Sequence, residues 1–234
     1  MGSIDYSLMD ALVVDDEKFS LKIVSRIMNQ IGFRDVREAK DGGQALSALI
    51  EYHEDKAQLV IADFNMPQVT GLQLLKAIRT GTKKVPRDTP LIMLTGNTDK
   101  HLVAAAMALD VDAFVAKPVS MKGLQDRINR VLKSARPLKE IEDYQKVDVD
   151  IKIAQPADEK KEIEHHGSVL RKDGGGGKEV LLTRVRVGAT LARPVRLSDG
   201  KIVLNSGVKV TERLVDKLKD LNGLGEKIET LWVE

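Results

Sequence analysis

No cysteine occurs anywhere in the 234 residues, so disulfides, cysteine–zinc sites and thiol catalysis are excluded together. Net charge is nearly absent as well. The 37 basic side chains against 35 acidic ones leave +2, too little to argue for a nucleic-acid or membrane partner. No apolar run reaches the roughly 18 residues that a membrane span requires. The stretch from Met1 to Asp10 carries Asp5 and Asp10 and lacks the apolar segment of a signal peptide. Histidine is scarce: His53, His101, His165 and His166 are all there are. The adjacent pair at 165 and 166 lies in a charged segment without ligand partners, which reads as solvated chain rather than as a metal or phosphotransfer site. What is present is 42% hydrophobic and 31% charged residues, enough for a packed core under a polar surface. The expectation is a soluble, cytoplasmic protein, long enough for one ordinary domain and a small second one.

From Ala11 to about Lys133, apolar runs of strand length alternate with helical patterns. The runs Ala11–Val14, Leu59–Ala62, Leu91–Leu94 and Ala113–Ala116 are apolar at every position, as in a parallel sheet covered on both faces. Asp35–Ala39 is more polar and suits a strand nearer an edge. Between them, Phe19, Ile23, Ile27 and Ile31 recur every four residues and predict the buried stripe of a first helix, widened by Val24 and Met28. Ala45, Leu46, Leu49 and Ile50 mark a second helix, Leu72, Leu75 and Ile78 a third. Val103, Met107 and Leu109 mark a fourth, and Leu124, Ile128, Val131 and Leu132 a fifth. Five βα units in succession predict an α/β fold with a five-stranded, doubly wound parallel sheet. In such sheets the chemistry sits beyond the carboxyl ends of the strands.

Those ends carry an unusual set of side chains. The first run ends in Asp15-Asp16, the run from Leu59 in Asp63, the run from Leu91 in Thr95, and just past the last comes Lys117-Pro118. A parallel sheet brings all of them to one rim. Carboxylates about 5 Å apart repel by about 3 kcal/mol per pair at an effective dielectric of about 20, so the cluster calls for a cation. Oxygen ligands without histidine or cysteine favour Mg2+, which keeps waters and bridges to phosphate. With Lys117 as a second positive charge and the Thr95 hydroxyl as a hydrogen-bonding group, the set suits phosphoryl transfer to a carboxylate, with Asp63 as nucleophile.

The motifs Val13-Val14-Asp15-Asp16, Ile61-Ala62-Asp63-Phe64-Asn65-Met66-Pro67 with Gly71, Leu94-Thr95-Gly96 and Phe114-Val115-Ala116-Lys117-Pro118 mark a family. Residues 9–134 resemble the flavodoxin-like receiver (CheY-like) domain of two-component response regulators. The resemblance implies phosphorylation of Asp63 by a sensor histidine kinase or phosphotransfer protein. It also implies Mg2+ binding by Asp15, Asp16, Asp63 and the backbone carbonyl of Asn65, and catalysis by Asp63 with Thr95 and Lys117. Thr95 and Phe114 occupy the family's switch positions, the ring of Phe114 turning inward as Thr95 moves toward the phosphoryl group. The Lys117–Pro118 bond is often cis in the family. Beyond its own phosphoryl transfer and autodephosphorylation, no enzymatic activity is implied.

Residues 135–178 read as a linker, with Pro137, Pro156, a charged stretch and Gly174–Gly177. Within it, Val147–Ile153 alternates with period two, either as a half-buried strand or as solvated chain. Residues 179–234 form a small mixed β/α module of about 55 residues, a size at which a single core is marginal. It is expected to lean on the receiver or on a second copy, as a homodimer. Val180–Val187 predicts a strand, Asp199-Gly200 a hairpin turn, Thr211 the cap of a helix bearing Leu214, Val215, Leu218 and Leu221, and Ile228–Val233 a closing strand. Trp232 is expected in the module's core. The tail resembles a small module found beside HD-GYP-type signalling domains, through Val187–Ala192, Asp199–Leu204 and Gly207–Thr211. The catalytic motifs of those domains are missing here, and no helix-turn-helix is evident. The leading expectation is an adaptor that switches its contacts with an unknown downstream protein. The alternative is a nucleotide or nucleic-acid binding effector using Arg184, Arg186, Arg193 and Arg196.

Overall fold

The computed structural model describes residues 4–51, 59–81, 85–96, 100–150 and 176–234. Five strands, β1 (Asp10–Val14), β2 (Asp35–Ala39), β3 (Leu59–Asp63), β4 (Leu91–Thr95) and β5 (Ala113–Ala116), make one sheet in the order β2-β1-β3-β4-β5. All four pairings are parallel. Helices α1 (Lys18–Ile31), α2 (Gly42–Glu51), α3 (Gly71–Arg79), α4 (Lys100–Ala108) and α5 (Met121–Lys133) alternate with the strands. Side chains alternate across the sheet, so Ala11 and Val13 pack with α1 and α5, while Leu12 and Val14 pack toward α2, α3 and α4. The expected doubly wound sheet is therefore present, with every residue of β1, β3 and β4 buried.

The first helix buries most of the predicted stripe, but its first two positions face outward. Leu21, Val24, Ile27, Met28 and Ile31 are buried, but Phe19 is 73% exposed and Ile23 39%. A strict four-residue step advances about 40° per turn around a helix, so over three steps it leaves the core face.

The segment expected as linker contains α6 (Ile141–Gln145), which packs on α3. Tyr144 is fully buried there, donating its hydroxyl to Asp110 Oδ2 at 2.9 Å, with Arg87 and Lys139 each 5.7 Å from its ring centroid. Lys76 Nζ on α3 donates to the carbonyls of Gln145 and Val147. Residues 147–150 follow as a bend and irregular chain without strand pairing, Val147 and Val149 resting half-buried against the core. The remainder of the alternating segment, Ile151–Ile153, lies outside the described residues, as do His53, His165, His166, Gly174 and Gly175.

The C-terminal residues form β6 (Lys178–Leu181), β7 (Val195–Arg196), β8 (Ile202–Leu204), α7 (Glu212–Gly223) and β9 (Thr230–Val233). β6 pairs with β9 and β7 with β8, both antiparallel. The hairpin at Asp199-Gly200 is as expected, Gly200 taking φ +84°, and Thr211 caps α7 by accepting the Leu214 amide at 3.1 Å. The strand predicted over Val180–Val187 stops at Leu181, because the Arg184 amide turns back to the Leu181 carbonyl. Arg184 and Arg186 thus lie outside any strand. Trp232 is not core either. In β9 it is Leu231 and Val233 that are buried, and period-two alternation puts Trp232 on the opposite face.

Helix α7 lies against β5, and β8 against α4. Its contacts are charged as well as apolar. Asp112, at the foot of β5, accepts from Arg79 of α3 (2.8 Å), Arg136 (2.6 Å), Arg213 of α7 (2.7 Å) and the Leu91 amide (2.8 Å). Asp220 of α7 accepts from Arg130 of α5 at 2.5 Å and, in a longer contact of 3.4 Å, from the backbone amide of Phe114. The apolar core of the tail, including Leu218 and Leu221, is continuous with that of the α2–α4 face.

Candidate functional site

The carboxyl ends of β1, β3, β4 and β5 converge as the topology requires. Carboxylate oxygens of Asp15, Asp16 and Asp63 all lie within 4.8 Å of one another, Asp15 and Asp63 buried and Asp16 exposed. Lys117, after β5, reaches back over the sheet to Asp63 Oδ1 at 2.5 Å and Asp15 Oδ2 at 2.9 Å. The second oxygen of Asp63 accepts the Asn65 amide at 2.8 Å, which fixes the carboxylate plane. The Lys117–Pro118 peptide is cis.

Local sequence explains the placement. Asp15 is pinned through both oxygens, Oδ1 by the Glu17 amide and Oδ2 by the Ser20 hydroxyl at 2.5 Å. Ser20 escaped sequence reasoning, although its position one turn into α1 makes it a natural reach-back to the preceding loop. Behind Asp63, α3 starts with Thr70, whose side chain accepts the Gln73 amide while the Gln73 side chain accepts the Thr70 amide. The start of that helix runs so close to β3 that a Cβ on Gly71 would stand 2.1 Å from the Asp63 carbonyl oxygen. Only glycine fits there.

Burial pushes the Asp63 carboxyl up to about 6, against the downward pull of Lys117, with the nearby Asp15 adding to the rise. Burial alone would lower the Lys117 ammonium, but its hydrogen bonds to Asp63 and Asp15 raise it instead. The donor set is entirely oxygen, with three carboxylates converging and one of them open to solvent, which fits a hard divalent cation such as Mg2+. Asp15, Asp16 and Asp63 would hold it.

The two switch candidates lie close to this rim but inside the protein. Thr95 is buried at the end of β4, its hydroxyl donating to the Gly96 carbonyl at 3.1 Å. Phe114 is buried in β5, its ring 6.2 Å from that of Phe64 and nearly parallel to it. Every sequence-predicted residue except Phe114 is thus a strand-end group, and Phe114 links the neighbouring strand to α7 through its amide. Of the arginines singled out in the tail, Arg193 and Arg196 line a separate groove, and Arg184 and Arg186 do not.

Comparison with known proteins agrees with this geometry. Residues 11–129 match the model of the response regulator receiver domain. A chemotaxis protein CheY from Pseudomonas aeruginosa is 29% identical over 53% of this chain and 95% of its own. A CheY homolog from Campylobacter jejuni is 33% identical over 53% of this chain and 92% of its own. Among solved structures, a response regulator receiver domain protein from Clostridium thermocellum is 27% identical, covers 53% of this chain and 94% of its own, and gives a TM-score of 0.48. A doubly wound sheet carrying this acidic rim, and a family match across the whole of it, place the chain in the response regulator receiver domain family.

Proposed function

We propose that this chain is a two-component response regulator in which Asp63 accepts a phosphoryl group from the phosphohistidine of a sensor histidine kinase or phosphotransfer protein. The observation that carries the reading is the setting of Asp63: ion-paired to Lys117 and within metal-bridging reach of Asp15 and Asp16. In the transfer, a carboxylate oxygen of Asp63 attacks phosphorus, the P–N bond to the donor imidazole breaks, and its electron pair leaves with that nitrogen. Mg2+, when bound, supplies positive charge to the phosphoryl oxygens. Lys117 exchanges its bond to the free carboxylate for one to a phosphoryl oxygen, and the Thr95 hydroxyl turns from Gly96 to another. Water later hydrolyses the acyl phosphate, so the chain acts as a switch and not as an enzyme on a separate substrate. A cytoplasmic location goes with this role.

Phe19 and Ile23 support the donor half of the reading. They stand exposed on α1, directly after the acidic rim, and Met121, also exposed, begins α5 just past Lys117. An apolar rim beside a charged centre is what a docking protein can cover. The output half rests on α7. It packs on the strand that carries Phe114 and touches its amide through Asp220. A shift of β5 on phosphorylation alters how the tail packs, and with it the surface offered to a downstream protein.

The reading is tested with acetyl phosphate, or beryllofluoride as mimic, in the presence of Mg2+. Wild type is modified and Asp63→Asn is not; equal modification of both overturns the assignment. Loss of modification in Lys117→Ala, with the fold retained, is the second expected result.

A further inference from the structure

Outside the rim, one concave site in the tail has unused recognition chemistry. A groove of about 510 Å3 runs along β6, β9 and the strand β7, lined by Arg193, Val195, Arg196, Lys227, Ile228 and Trp232 among others. That volume lies within the range of small-molecule sites, about 300–1,000 Å3. Trp232 stands on the outer face of the β6–β9 pair, directly opposite Glu179. The guanidinium of Arg193 stacks on the indole, its centre 3.6 Å from the ring centroid. Its Nε is buried without a hydrogen-bond partner, and among the described residues the guanidinium makes no ion pair, although Glu179 and Glu229 line the same groove. A planar cation held by stacking alone, with its donors unspent, is suited to an oxyanion taken in a forked hydrogen bond. The exposed side chains of Arg196 and Lys227 add two further positive charges.

We propose that this groove binds a mononucleotide, the phosphate on the guanidinium of Arg193 with Arg196 or Lys227, and the base against the stacked Arg193–Trp232 pair and the apolar floor of Val195 and Ile228. Three cations facing two carboxylates suit one phosphate monoester and not a polymer, whose binding would need a run of basic residues. Arg184 and Arg186, which could have extended such a run, are not part of the groove. The site uses no residue of the acidic rim, so it stands or falls independently of Asp63.

Trp232 is the sole tryptophan of the chain, so its fluorescence reports on the groove directly. The full-length protein is titrated with AMP, GMP, ribose 5-phosphate, inorganic phosphate and a single-stranded oligonucleotide, with calorimetry as the second readout. Saturable binding of AMP or GMP is expected. It should weaken at least tenfold in Arg193→Ala and severalfold in Arg193→Lys, which keeps the charge but loses the planar fork, and should be unchanged in Asp63→Asn. The proposal is overturned if neither nucleotide saturates, if inorganic phosphate binds as tightly as GMP, if the oligonucleotide alone binds, or if Lys227→Ala and Arg193→Lys, both with the tryptophan spectrum of wild type, bind like wild type.

Discussion

The carboxyl of Asp63 is subject to opposing pulls, and burial wins over Lys117. Metal-free protein should therefore bind a proton at Asp63 with a midpoint near pH 6, and saturating Mg2+ should move that midpoint down, since the cation favours the charged form. Carbon-detected NMR of the side-chain carboxyl follows both; a metal-free midpoint near the ordinary value of 3.8 would contradict the account. Gly71 offers a second residue-scale test. Gly71→Ala forces a methyl against the backbone of Asp63, the proposed phosphoacceptor. The expected cost is about 1–3 kcal/mol in urea unfolding, together with slower modification by acetyl phosphate. Most of the rim was legible from sequence because strand ends are places where buried apolar runs stop abruptly and polar chemistry starts. Ser20 and the buried Arg79 were not, since a polar residue on a helix gives no sign of whether it faces water or reaches a partner distant in the chain.

At the scale of elements, α7 carries the most unusual group. Lys217 is 5% exposed, and burial, aided by the positive charge of Arg213, lowers its ammonium to about 7, while Asp110 and Asp112 oppose the shift and Arg79 adds to it. Between pH 7 and the unfolded value of 10.5, the unfolded chain binds a proton at this position that the folded chain does not. Stability must rise with pH across that window, and the penalty is at its greatest below it. Lys217→Met removes this contribution, so the variant should gain most over wild type at pH 6 and little at pH 10 in paired denaturation curves. Equal gains at both pH values would place the neutral form elsewhere. Two of the misjudged elements share a cause, while β6 is cut short by its own backbone turn at Arg184. The start of the α1 stripe and the face of Trp232 each depend on which side another layer covers. Hydrophobic pattern records that a residue is apolar, but the covering layer decides whether it is inside. By contrast, the strands buried on both faces leave no such choice, and they were placed correctly.

For the whole molecule, the tail is a cover for the open side of the sheet as well as a candidate output. β5 is an edge strand, and α7 with β8 lies over it and over α4. Ending the chain at residue 150 should expose that edge and the apolar side of α4, and unprotected edges promote pairing between copies. Sedimentation velocity should show the shortened chain self-associating at concentrations where the full chain does not; two monomers of equal behaviour would mean that the tail contributes nothing to the cover.

Asp112 ties these parts into one account. A single carboxylate, nearly inaccessible to water, receives guanidinium groups from α3, from the turn after α5 and from α7. Asp112→Ala leaves those cations without their shared counter-charge, and loss of one buried partner costs about 3–5 kcal/mol. The stabilities of variants at positions 79, 136 and 213 are accordingly not independent: double-mutant cycles among them should show coupling. The chain's two halves therefore share a single electrostatic ledger, and a substitution that neutralises one arginine alters what the other two are worth.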